Sequence, residues 1–249
     1  MRVVLTQSSE ESAERVTAEI LAGLRAKPDL VLGLATGSTP IGVYRRLRAA
    51  REAGTADFSL VRTFNLDEYL GLNAEHPRSY RHFMREQLFE GLNIPAGQIH
   101  FPPTEGDSDG QLQARCEQFE ARIVGEGGID IQLLGLGRNG HIGFNEPGSP
   151  WSSRTRKVAL CERTLNDNAR FFGPGEIQPD LAVTMGIRTI LEARRILLQA
   201  SGEAKAPAVR AAIEGPQSID LPASALQLHS DTTFYLDPGA GSLVSRIER

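Results

Sequence analysis

The sequence predicts an α/β protein built on a mainly parallel sheet. Short apolar, β-branched runs alternate with longer amphipathic ones, and several of the longer runs open on residues that start helices. A chain of 249 residues with 40% apolar content can also bury a large core. A single domain over residues 1–249 is the expected organisation, with no internal repeat and no low-complexity tract.

In chain order, Val3–Leu5 reads as the first strand and Glu10–Ala26 as an amphipathic helix. The strand Leu30–Leu34 leads into the helix Pro40–Ala53. There Thr39 reads as the N-cap, with proline at the first helical position. Val61–Asn65 comes next as a strand, then the helix Ser79–Glu90 opened by Ser79, the helix Gln111–Gly125 and the strand Ile129–Gly135. The stretch Pro147–Pro179 is rich in proline, glycine and polar residues, which predicts an irregular excursion that acts as a mobile lid. The strands Ala182–Met185 and Arg195–Ala200, the helix Glu203–Ile213 behind Gly202, and the strand Thr233–Leu236 complete the series.

Composition narrows the function. A formal charge of −4 supplies no basic field for a nucleic-acid backbone, so an anionic ligand needs a local site. Two well-separated cysteines, Cys116 and Cys161, fit neither a disulfide framework nor a zinc site and read as inert thiols in a reducing compartment. The N-terminal run turns polar too early for a secretory segment. No stretch approaches the roughly 18 apolar residues of a spanning helix, so a cytoplasmic protein without a membrane partner is expected.

Four stretches carry chemistry. In Thr36-Gly37-Ser38-Thr39-Pro40, a strand runs into hydroxyls and main-chain amides at a helix N-terminus, a geometry that binds phosphate; an ordinary capped turn is the structural alternative. Asp67-Glu68 comes after a strand at the sheet edge where open α/β folds place ligands, and a carboxylate there can serve as a base or remain a solvated loop charge. Gly135, Gly137 and Gly140 match a dinucleotide fingerprint in form. The prolines and glycines beyond them forbid the helix such a fingerprint requires, so the loop presents His141 and Glu146 instead. Lys205, just past a strand end, and Arg170, before Phe171-Phe172, are cations that can neutralise a phosphate or simply be solvated.

Taken in this order, "LGLATGSTP", "FNLDEY", "GHIGFNEPGS", "SRT" and "SGEAKA" resemble the glucosamine-6-phosphate deaminase family over most of the chain. The resemblance implies a three-layer α/β sandwich with a Rossmann-like sheet. It implies conversion of D-glucosamine 6-phosphate and water to D-fructose 6-phosphate and ammonia, with no organic cofactor and no catalytic metal. The family's enolisation base falls on Asp67 and its ring-opening histidine on His141, supported by Glu146 and Asn139. The phosphate loop falls on Thr36, Gly37, Ser38 and Thr39, closed by Arg170 and Lys205. Some members carry Asp where this chain has Asn139, which leaves more of the orienting of His141 to Glu146. Lys157-Val158-Ala159 after "SRTR" and the short C-terminal end resemble the unregulated members, so a monomer is expected, with a homo-oligomer as the alternative. Competing readings are a 6-phosphogluconolactonase on a related fold, a sugar-phosphate sensor without turnover, and activity on the galactosamine epimer.

Overall fold

The computed structural model describes residues 1–106, 108–173 and 175–245. Among them the strands are β1 (Arg2–Leu5), β2 (Val31–Leu34), β3 (Arg62–Asn65), β4 (Asp67–Tyr69), β5 (Ile99–His100), β6 (Ile131–Leu134), β7 (Arg156–Ala159), β8 (Leu181–Thr184), β9 (Arg195–Ala200) and β10 (Thr232–Leu236). The α-helices are α1 (Ser9–Ala26), α2 (Ile41–Glu52), α3 (Tyr80–Gln87), α4 (Asp109–Gly125), α5 (Glu162–Asn168), α6 (Ile187–Leu191) and α7 (Ala206–Glu214).

Seven strands pair in the order β1-β10-β9-β6-β2-β3-β5, every pair parallel. The central strands are buried on both faces, which is why they read as continuous apolar runs rather than alternating ones. Successive residues serve opposite layers. Phe234 and Leu236 pack with α4, α6 and α7, whereas Tyr235 between them packs with α1, α2 and α3. The result is the three-layer sandwich expected from the sequence. No described helix is long and apolar enough to cross a membrane.

A second, antiparallel sheet, β4-β8-β7, stands beyond the end of β3. The chain reaches it through Leu66, whose N–H still bonds Leu34 O at 3.0 Å and whose carbonyl accepts from Met185 N at 2.6 Å. Asp67 and Glu68 therefore lie in a short strand of this small sheet, not in a loop at the end of β3.

Other expectations are also corrected. Thr39 does not cap α2: Pro40 occupies the cap position in helical conformation, with no side-chain cap bond, so the hydroxyl is left for other use. Ser79 does cap α3, accepting from His82 N at 3.1 Å, but the helix stops at Gln87 and continues only as a 3₁₀ turn over Phe89–Gly91. Glu203–Lys205 is likewise a 3₁₀ turn ahead of α7. The stretch 147–179 is not irregular throughout, because it contains β7 and α5. Its proline and glycine content masked a strand whose exposed face is charged and a helix whose residues are mostly polar.

Candidate active site

Adjacent strands β2 and β6 deliver two loops to the same edge of the large sheet. After β2, the fully buried Tyr44 of α2 donates its hydroxyl hydrogen bond to Ala35 O, which pins the start of the first loop to the helix it feeds. The amide N–H groups of Gly37, Ser38 and Thr39 have no hydrogen-bond acceptor among the described residues. They converge before a 12-residue helix, so amides and helix dipole together make a place for an anion. Lys205, at the N-terminal end of α7, lines the same space. The side chain of Arg170 lies outside the described residues; its backbone belongs to the 3₁₀ turn Ala169–Phe171.

Asp67 is 4% exposed. Its carboxylate accepts a long hydrogen bond, 3.4 Å, from Thr36 Oγ1 of the first loop. Burial and the neighbouring Glu68 push its pKa up to about 8, against a small downward pull from Thr36. Glu68 has a different task. Its two oxygens accept from the amides of Tyr69, Tyr80 and Arg81, each at 2.8 Å, so it closes the N-terminus of α3 onto β4. Of two adjacent carboxyls, one is committed to the backbone and the other faces the cavity.

The loop after β6 turns where the sequence suggests. Gly140 N bonds Gly137 O at 3.0 Å, and Gly137 N bonds His141 O at 2.9 Å. A β-carbon on Gly137 would sit 2.3–2.5 Å from ring atoms of His141, so the glycine lets the imidazole lie against the main chain. Gly143, at φ +55°, brings the loop beside the second catalytic candidate, since a β-carbon there would lie 3.3 Å from Asp67 Oδ2. Glu146 Oε2 stands 3.6 Å from His141 Nδ1 and accepts from Asn139 Nδ2 at 2.8 Å. Burial works to raise the Glu146 pKa, but hydrogen bonding with His141, Thr164 and Asn139 and the nearby imidazole hold it down at about 2. The carboxylate is therefore an anion that orients the ring.

These groups border two adjoining cavities of about 150 and 780 Å³, which share Ser38, Thr39, His141, Asn168 and Lys205. The smaller holds Asp67, Tyr80 and the turn at Gly137; the larger opens towards Arg138 and Asp167. A buried carboxyl, an imidazole and a cationic, amide-rich pocket on one chamber can move protons at two neighbouring atoms of a small anionic molecule. Among the described residues no three His, Cys, Asp or Glu side chains converge to hold a metal ion.

Sequence reasoning missed Thr164 and Cys161, which approach His141 and Asn139 from α5 and its cap. It also missed Thr184, which accepts from Phe144 N at 3.1 Å, and Tyr80 on the cavity wall. None has a local signature, because each is delivered by tertiary packing.

A family model described as glucosamine-6-phosphate isomerases/6-phosphogluconolactonase matches residues 5–235 of the chain. The chain is 55% identical over 242 residues to glucosamine-6-phosphate deaminase of Shewanella loihica, covering 97% of this chain and 89% of the relative. It is 50% identical to glucosamine-6-phosphate deaminase 2 of Bacillus subtilis over 95% of both chains. Among solved structures, a monomeric glucosamine-6-phosphate deaminase superposes with a TM-score of 0.93 at 45% identity, covering 98% of this chain and all of that one. The 6-phosphogluconolactonase of Trypanosoma brucei, at a TM-score of 0.77 and 21% identity, shares the fold.

Proposed function

The chain belongs to the glucosamine-6-phosphate isomerase/6-phosphogluconolactonase family, and from that premise we propose that it is a glucosamine-6-phosphate deaminase. It converts D-glucosamine 6-phosphate and water to D-fructose 6-phosphate and ammonia, which makes it a hydrolase acting on a C–N bond. The observation that carries this reading is the placement of buried Asp67 and glutamate-oriented His141 on one chamber with the Gly37–Thr39 amides and Lys205.

The phosphate sits on the amides of Gly37, Ser38 and Thr39 and on the hydroxyls of Ser38 and Thr39, with Lys205 and Arg170 neutralising it. His141, held by the anionic Glu146 and through it by Asn139, takes the proton of the anomeric hydroxyl and returns it to the ring oxygen, giving the open aldehyde. Asp67 then removes the proton on carbon two, which the adjacent carbonyl has acidified, and delivers it to carbon one through a cis-enolamine. Water adds to the resulting imine at carbon two, and the carbinolamine expels ammonia. Asp67 needs a raised pKa to give its proton back as well as take it, and burial supplies that.

Residues 147–179 act as a lid over the chamber. Within it β7 is held in the small sheet against β8, so the movable part is the segment beyond β7, whose contacts with the body include Arg78 to Glu176 at 3.0 Å, Asn168 to the Tyr69 hydroxyl at 3.0 Å and the Arg138–Asp167 pair. Hydrogen-exchange protection there should rise on ligand binding; protection that ignores ligand counts against a lid. The enzyme works as a cytoplasmic monomer, and sigmoidal kinetics abolished by N-acetylglucosamine 6-phosphate would contradict the unregulated form. The central test is ammonia release from glucosamine 6-phosphate by the intact protein, with Asp67→Asn and His141→Ala alongside. Unchanged turnover in Asp67→Asn removes the base assignment.

A further inference from the structure

Five side chains close a circuit around His141. Asn139 Nδ2 donates to Glu146 Oε2 at 2.8 Å, and the same oxygen stands 3.6 Å from His141 Nδ1. His141 Nδ1 is also 3.4 Å from Thr164 Oγ1. Thr164 Oγ1 in turn accepts from Cys161 Sγ at 3.6 Å, and Cys161 Sγ lies 3.7 Å from Asn139 Nδ2, where the circuit began. Two of the five come from α5 and its cap, which are remote in sequence from the loop after β6.

We propose that Thr164 is a positioning residue for ring opening, sharing Nδ1–H of His141 with Glu146 and so fixing the imidazole with its bare Nε2 towards the substrate. The inference rests on the deaminase reading for its chemistry but not for its geometry. A hydroxyl has one proton to give and two lone pairs. The Cys161 thiol uses one lone pair of Thr164, leaving the other for Nδ1–H of His141 at 3.4 Å, while the hydroxyl proton helps hold the nearby Glu146 carboxylate as an anion. Thr164 is 1% exposed, so no water substitutes for it. A second acceptor at Nδ1 matters here because Asn139 brings no charge, which leaves Glu146 as the anion of the circuit. Fixing Nδ1 as the protonated nitrogen makes Nε2 the acceptor for the anomeric proton.

The test combines two readouts on the full chain. In the unaltered protein, the ¹⁵N shifts of the His141 ring should report Nδ1–H and unprotonated Nε2 in the neutral imidazole; the opposite tautomer overturns the proposal with no variant needed. In kinetics, Thr164→Val keeps the shape and removes the hydroxyl. It should lower kcat/KM about 10- to 100-fold and shrink the isotope effect from substrate deuterated at carbon two, because ring opening then limits the rate ahead of Asp67. Thr164→Ser should restore both. A Thr164→Val enzyme with full turnover, or a serine variant no better than valine, refutes the positioning role. Should valine prevent folding, Thr164→Ala carries the same comparison. Failure of the deaminase reading appears separately, as no ammonia from the unaltered protein.

Discussion

The loops after β2 and β6 leave neighbouring strands of one sheet, the first turning on the single Gly37 and the second on several glycines, and they are put to opposite uses. Residues 35–40 run straight into α2, so their amides are left without acceptors at a helix N-terminus and the main chain itself is what the loop offers a ligand. Residues 135–148 run into no helix; they fold back on themselves through the Gly137–His141 turn and the bridge between Ile142 and Asn145, and what they present to the cavity is side chains such as His141. Whether such a loop presents main chain or side chains follows from the element downstream of its glycine, a helix in one case and a folded-back turn in the other. Asp67 belongs to neither loop, yet it touches both, through Thr36 on one side and the close approach at Gly143 on the other.

The largest expected effect separates chemistry from binding. Asp67→Asn should lower kcat by about 10³-fold or more, with KM changed little, because the phosphate still seats on the first loop. The same change should stabilise the fold. Asp67 titrates at about 8 in the folded chain against an ordinary 3.8, so between those pH values the native state retains a proton that the unfolded state has released. Stability due to this group therefore falls as pH rises through that window, and the whole penalty remains above it. Denaturant unfolding should show the asparagine variant more stable by roughly 1–3 kcal/mol above pH 8 and no better below pH 4. An Asp67→Asn protein less stable at alkaline pH would mean that the carboxylate is better solvated than its burial implies.

Removing the ligand group of the first loop's partner is the complementary break. Glucosamine without its phosphate should lose kcat as well as affinity, together about 10²- to 10³-fold in kcat/KM, since remote binding energy holds the reacting carbons in register. Loss confined to KM would show that the two loops work independently. A milder cut falls within the reactive loop alone: Gly137→Ala places a methyl inside the His141 ring volume. It should lower kcat roughly 10²-fold through misplacement of the imidazole, while the affinity for inorganic phosphate stays as it was.

The pH dependence sharpens the comparison further. With Asp67 as the proposed base, kcat/KM in the free protein should rise about tenfold per pH unit and level off near 8, where its carboxyl ionises. The substrate ammonium group bound beside it favours that charge, so the limb in kcat should lie at lower pH. Coincident limbs would place the ammonium away from Asp67.

The two loops are legible in the sequence for a physical reason: each comes after a buried parallel strand that reads as an apolar run, and each is punctuated by residues whose backbone behaviour is distinctive. The strands of the large sheet, the two-residue β5 excepted, are visible in that way. The small sheet is legible only at β8, because β4 is three residues of "DEY" that read as polar loop and β7 carries charge on its exposed face. Thr39 misleads because threonine before proline looks like a cap, yet here the proline takes the cap position. Thr164, Cys161 and Tyr80 have no periodicity or motif to announce them. Packing alone carries them to His141, Asn139 and the cavity wall, and that information resides in no short window.

The smallest expected effect lies at the rim, where the two regions meet α5. Arg138 pairs with Asp167 across the mouth of the larger cavity, but its side chain is 43% exposed, so water and salt screen the attraction. Arg138→Ala should change global stability by less than about 1 kcal/mol. If the pair holds α5 against the body, the variant should instead speed hydrogen exchange in residues 162–168 and raise KM modestly, about two- to fivefold, with any fall in kcat no larger and accompanied by the faster exchange, because α5 also carries Thr164. A fall in kcat without faster exchange would place Arg138 in the chemistry, on the reactive side of the comparison rather than at its edge.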